Sequence, residues 1–367
     1  MDHFELRNGV LHAEDVPLTA IAEAVGTPVY VYSRATLERH ARVFREALDA
    51  LPRRHIAFAV KSNPNLAVLK VLAKEGYGAD VVSWGEMDRA LAAGMPGADV
   101  VFSGVGKTQQ ELAAALTAGV GQFNVESEEE GVELAGIARD LGCRAVATLR
   151  VNPNVDAGTH AKISTGKAEN KFGVAYDRAA EIYARLAALD GLEMRGLAVH
   201  IGSQITDLAP SRAAFVKMGE LMRTLRAAGF IVSHMDLGGG LGVPYRLGEV
   251  LPGPAEYGAM VAEVTRDWDA TIMFEPGRVI TGNSGVLLTQ VIRVKPGSVA
   301  PFVVVDAAMN DLVRPAMYDA WHDFVAVRPN GERMVANIVG PICETGDTFA
   351  MGREIDVVKA GDLAVFR

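Results

Sequence analysis

The chain is poor in cysteine. Its 367 residues hold only Cys143 and Cys343, which lie far apart and offer neither a metal spacing nor a disulfide framework, so a reducing compartment is expected. It is also short of positive charge, with Lys+Arg at 36 against Asp+Glu at 45 and a formal net charge of −9. That balance supplies no basic field to draw in nucleic acid or an anionic membrane surface. The opening stretch MDHFELRNGV is acidic and has no apolar signal core, and no hydrophobic run is long enough to span a bilayer. Tandem repeats and low-complexity segments are absent, and the histidines show no metal-ligand spacing. These absences leave a cytoplasmic protein with a small-molecule partner as the expectation.

What the chain has in quantity is hydrophobic residues, 49% of the total, arranged in a rhythm. Short β-branched runs alternate with amphipathic stretches such as NLAVLKVLAKEG and TQQELAAALTAG. Eight runs read as strands: HIAFAV (55–60), GADVV (78–82), ADVVF (98–102), GQFNV (121–125), AVATLRV (145–151), GLAVH (196–200), SHMDL (233–237) and TIMFE (271–275). Alternation implies a parallel sheet, and eight strand–helix units predict an α/β chain built on a TIM-type (β/α)8 barrel. Beyond Glu275 the runs GVLLTQVIRVK, FVVVDAA, FVAVRP and MVANIVG carry few helical patterns, which predicts a C-terminal all-β domain. The expected boundaries are 34–277 for the barrel, opened by a connecting helix over 34–50, and 278–367 for the β domain, joined by the N-terminal segment 1–33.

Barrel enzymes place their chemistry at the C-terminal ends of the strands. Lys61 ends the first run, Asp80 and Ser83 follow the second, Arg150 the fifth, His200 the sixth, Gly238 to Gly240 the seventh and Glu275 the eighth. An isolated strand-end lysine ordinarily lays its stem along an edge and keeps its charge in water, and an isolated histidine is ordinarily a core residue. Here polar groups crowd one rim, and a buried charge there needs a partner or a ligand. The run LGGGLGVPY lets backbone N–H groups approach an anion, although Val243 stands where a dinucleotide fingerprint needs its last glycine. With EPGR (275–278) on the neighbouring strand, it makes the phosphate corner that barrels build after strands seven and eight. SGVGKT (103–108) ends like a nucleotide-binding loop but lacks its first glycine, and reads as an ordinary loop with Lys107 solvated. A lysine nucleophile, a phosphate corner and an opposing carboxylate describe pyridoxal 5'-phosphate: Lys61 as Schiff-base lysine, the glycines at the phosphate, Glu275 at the pyridine nitrogen.

The ordered set FAVKSN, DVVSWGE, ENKFG, HIGSQI, GGGLG, EPGR, NDLVRPAMYDA and PICETGD closely resembles the diaminopimelate decarboxylases of the alanine-racemase-like pyridoxal phosphate enzymes. The resemblance implies a barrel with a C-terminal β domain, an amino-acid substrate, and a homodimer with active sites shared at the interface. By match, Lys61 carries the Schiff base, His200 stacks on the cofactor ring, and Ser203, Gly239 and Gly240 reach the phosphate. EPGR brings Glu275 to the ring nitrogen, with Gly277 and Arg278 beside the cofactor. Arg278, Arg314 and Tyr318 are the expected clamp for the distal carboxylate of the substrate. Cys343, as proton donor, and Glu344, as acceptor for the distal amino group, are expected to come from the partner subunit. The family pattern also continues past GDLAVFR into a strand bearing a tyrosine, so an incomplete β domain is expected here. The reaction implied is decarboxylation of meso-2,6-diaminopimelate to L-lysine. Lysine, ornithine, arginine or a carrier-bound glutamyl group are the alternative substrates, and a cofactor-binding regulator without turnover is the alternative class. Lys61 and Cys343 argue against the regulator.

Overall fold

The computed structural model describes residues 3–158, 165–166, 171–246 and 248–367, so the first two residues of the ENKFG motif lie outside the described residues. The chain divides into two compact units, one formed by Leu37–Val243 with Leu251–Thr281, the other by Met1–Thr36, Pro244–Val250 and Gly282–Arg367.

The first unit is the closed barrel. Its strands are Arg54–Ala59, Gly78–Val81, Val100–Phe102, Gln122–Val125, Ala145–Asn152, Leu192–Ala198, His234–Asp236 and Thr271–Phe274. Neighbouring strands pair in parallel, and the eighth closes on the first through Ile272↔Arg54, Met273↔His55 and Phe274↔Ile56. The returning helices cover the outside, which is why most strand positions are buried whatever their residue type. Several helices start on a side-chain cap just past the strand ends. Asn65 caps Leu66–Lys74, Ser83 caps Trp84–Ala92, Thr108 and Glu111 form a capping box on Gln109–Thr117, and Ser127 caps Glu128–Asp140. Ser83, a rim candidate in the sequence, is therefore committed to a helix start.

The second unit is a mixed sheet around the long strand Gly285–Lys295, which pairs antiparallel with Val29–Tyr32, Phe302–Val305 and Leu363–Phe366. One parallel pair, Phe302–Val305 with Arg333–Val339, makes it mixed. The period-two alternation of GVLL separates two cores: Val286 and Leu288 pack with Phe4, Leu18 and Val365, while Leu287 packs with Val303, Val305 and Phe366. Besides strands, this unit carries the helices Leu18–Val25 and Arg314–Tyr318. Among the described residues, no helix is long and apolar enough to cross a membrane.

Candidate active site

The first strand stops at Ala59, and Val60–Ser62 form a single 3-10 turn before Pro64 and the Asn65 cap. That turn sets Lys61 on the C-terminal rim, where Nζ donates to the carboxylate of Asp80 at the end of the second strand. Asp80 is fully buried, and its other oxygen, Oδ1, has no hydrogen-bond partner. Burial disfavours the Lys61 ammonium, yet the side chain is 47% exposed, so desolvation at Nζ is weaker than its depth in the barrel mouth suggests. Asp80, backed by Glu275 and Glu86, decides the sign and holds the amine above the usual lysine range.

Glu275 follows the eighth strand with its carboxyl turned across the barrel. Its Oε1 accepts from Ser103 Oγ at 3.2 Å and from Asn124 Nδ2 at 3.0 Å. Desolvation, then the charges of Asp236 and Asp80, push its carboxyl well above the usual range. Asp236, 1% exposed, is likewise pushed up by burial and shares a hydrogen bond with Glu275.

The seventh-strand glycines form a cradle that side chains would fill. A Cβ on Gly239 would fall on the Glu275 carbonyl oxygen, and Gly240 sits at φ +112° against Gly202. The half-buried imidazole of His200 accepts the Gly239 N–H on Nδ1 at 3.3 Å. Desolvation, with Arg150 and Lys61 nearby, pushes His200 down to about 3, so the ring is neutral. Arg278 opens the short helix Arg278–Thr281, and its Nε and Nη2 donate to Ser203 Oγ at 3.3 and 3.1 Å. Gly277 leaves room for Ser62 and Ala59, whose Cβ atoms a side chain there would meet at 3.1 and 3.2 Å. Lys61, His200, Ser203, Gly239, Gly240, Glu275, Gly277 and Arg278 all keep some solvent exposure, while Asp80, Asn124 and Asp236 beneath them are closed off. A recess with an amine on one wall, a carboxyl on the floor and a glycine cradle beside a guanidinium fits pyridoxal phosphate. The buried Asp80 Oδ1, without a hydrogen-bond partner, leaves one acceptor open for a further donor.

The remaining candidates lie in the second unit. Arg314 stacks on Tyr245, 4.5 Å from the ring centroid, with Nη1 at 2.8 Å from His322 Nε2. Tyr318 ends the same short helix and is half-buried. Cys343 and Glu344 are exposed on a loop pinned by Asp347, whose carboxylate accepts from the Ile342 N–H at 2.7 Å and the Met309 N–H at 2.6 Å.

One expectation is overturned. Lys107 is not solvated: it is 8% exposed, and Nζ donates to Gly104 O at 2.6 Å, Asn124 O at 2.9 Å and Glu130 Oε1 at 2.7 Å. The third-strand loop turns its lysine inward, where it supplies a cation to the mostly buried Glu130 carboxylate and a donor to two carbonyls. Replacing Lys107 with Ala leaves Glu130 as an unpaired, mostly buried charge. A loss of about 3–5 kcal/mol is expected, read as a lower urea midpoint of the cofactor-free protein. A wild-type midpoint would mean that the lysine holds nothing in place.

Asp236 and Asn124 escaped the sequence reading, which took Gly238 to Gly240 as the end of the seventh run and singled out no residue of the fourth. The signal was present in GQFNV, where Gln122 and Asn124 alternate with Phe123 and Val125 and so share one face of a strand. In a barrel that face is the interior.

Residues 34–282 match the family described as "Pyridoxal-dependent decarboxylase, pyridoxal binding domain". A diaminopimelate decarboxylase of Zymomonas mobilis is 52% identical over 363 residues, covering 98% of this chain and 86% of that protein. One from Pseudomonas aeruginosa is 50% identical over 366 residues, covering 100% of this chain and 88% of its own length. Among solved structures, the diaminopimelate decarboxylase of M. jannaschii in co-complex with L-lysine superposes with a TM-score of 0.95 at 33% identity, over 99% of this chain and 86% of that one. The Helicobacter pylori enzyme complexed with L-lysine gives 0.92 at 37%, over 95% and 88%. Sequence, fold and the architecture of the recess thus converge, and the chain belongs to the diaminopimelate decarboxylase family of pyridoxal-dependent decarboxylases.

Proposed function

We propose that this protein removes one carboxylate from meso-2,6-diaminopimelate, releasing L-lysine and CO2. The observation that carries the reading is the Lys61 amine set against Asp80 on the rim that also bears Glu275 and the glycine cradle. The relatives named above supply the substrate. When bound, pyridoxal phosphate would supply an electron sink for the electron pair left on the substrate α-carbon as CO2 departs.

The chain's own residues do the rest. Lys61 would hold the cofactor through its amine; Ser203, Gly239, Gly240, Gly277 and Arg278 would receive the phosphate; neutral His200 would lie against the ring without competing for its charge. Glu275 would face the ring nitrogen and favour its protonated form. Arg314 and Tyr318, with Arg278, clamp the distal carboxylate, since a guanidinium offers that group a planar fork. Glu344 accepts the distal ammonium and Cys343 returns a proton to the α-carbon. The protein works in the cytoplasm as a homodimer, with Cys343 and Glu344 serving the partner's site. Their exposure on a pinned loop supports that reading.

Incubation with pyridoxal phosphate and meso-diaminopimelate should yield lysine and CO2 in equal amounts. Faster decarboxylation of lysine, ornithine or arginine would replace the substrate assignment. The shared site has its own test: mixing inactive Lys61→Ala with inactive Cys343→Ala should restore part of the activity, because one site of each heterodimer keeps both residues. Proven subunit exchange with no activity would place Cys343 and Glu344 outside the partner's site.

A further inference from the structure

Beneath the Glu275 carboxyl lies a polar cluster that the roles above leave unused. Asp236 Oδ1 accepts the Gly238 N–H at 2.9 Å, and Oδ2 accepts from Asn124 Nδ2 at 3.1 Å and Gln122 Nε2 at 3.4 Å. Asn124 Nδ2 also reaches Glu275 Oε1 at 3.0 Å and Ser103 Oγ at 3.0 Å. On its other side the amide is held by Oδ1, which accepts from Thr148 Oγ1 at 2.5 Å and Gln122 Nε2 at 2.9 Å, so that Nδ2 is the atom turned to the two carboxyls.

We propose that Asp236, with Asn124, is a positioning residue that fixes both the orientation and the proton of Glu275. The proposal rests on the reading of Glu275 as the partner of the ring nitrogen. The argument is a count of hydrogens. An amide has two N–H groups, yet three acceptors surround Asn124 Nδ2, two of them carboxyls. One proton must be added for the two acids to face each other in the barrel floor. It belongs on Glu275, because Asp236 already has the Gly238 N–H and two amide donors for its charge.

The charged groups facing Glu275 are Asp236, Asp80 and Lys61; Tyr257, from the helix Pro254–Val264, also faces Asp236 and stays neutral through burial. Two carboxylates thus oppose one ammonium, and Lys61 is already engaged by Asp80. Glu275 therefore carries the proton before any cofactor arrives. A neutral pyridine nitrogen held against Glu275 would take that proton, the carboxyl O–H breaking as an N–H forms; one that arrives as the pyridinium would have the carboxyl release its proton to solvent, and in both cases a carboxylate would face the ring cation. No proton has to be drawn from solvent.

The test is infrared difference spectroscopy on the cofactor-free full chain at neutral pH. A protonated-carboxyl stretch is expected that vanishes in Glu275→Gln, vanishes in Asp236→Asn and persists in Asp236→Glu. Calorimetry of pyridoxal phosphate binding in buffers of different ionisation heat should show wild type releasing about one proton per site more than Asp236→Asn. The proposal is overturned if the wild-type chain shows no such stretch, a result that holds even where Asp236→Asn does not fold. It is equally overturned if folded Asp236→Asn keeps the stretch. Since no substrate is present in either measurement, these failures are separate from failure of the decarboxylase reading, which product analysis decides.

Discussion

Replacing Lys61 with Ala should abolish the visible absorbance of lysine-held cofactor and lower decarboxylation by about 10³-fold or more, equivalent to roughly 4 kcal/mol of barrier. Lys61 is the rim amine set against a buried carboxylate, whereas Lys107 is turned into the third-strand loop and bonded to three acceptors. Removal of Lys61 also leaves buried Asp80 without its cation, so the mutant should hold cofactor weakly through the phosphate corner alone. A wild-type spectrum in the mutant would remove Lys61 from the mechanism.

Glu275→Gln is expected to divide binding from turnover. The amide keeps the size of the carboxyl, and the lysine and glycine cradle are untouched, so cofactor content should stay near one per chain. Turnover should fall about 10²- to 10³-fold, the usual cost of losing one preorganised electrostatic partner where charge develops. Absorbance and steady-state rates on the same preparation measure both quantities. Turnover close to wild type would show that the ring nitrogen does not depend on this carboxylate.

The rim was legible because barrel strands end where their apolar runs end. Reading what ends the first, second, sixth, seventh and eighth runs located Lys61, Asp80, His200, the glycines and Glu275, and the closed parallel ring places them at one end. What escaped lies below the rim. Asn124 meets Glu275 and Asp236 through ring closure, so its partners lie more than a hundred residues away in sequence, and no local pattern names them. Lys107 escaped for the opposite reason. Its neighbourhood looks like a polar loop, and only the Glu130 carboxylate and the Asn124 carbonyl, supplied by the following segments, turn it inward. Side-chain direction in a loop follows from what would otherwise go unsatisfied, and sequence does not display that shortage.

The strand Val29–Tyr32 finds its partner in Gly285–Lys295, and the whole barrel is encoded between them. During synthesis the early strand leaves the ribosome roughly 250 residues ahead of that partner, a wait of about 10 to 50 s at ordinary elongation rates. For that interval VYVY is an unpaired edge with apolar faces, available to other nascent chains. The vulnerable moment in this protein's production is therefore the translation of its barrel, and a chaperone that sheltered the first few dozen residues until the last third emerged would raise yield without altering the finished fold.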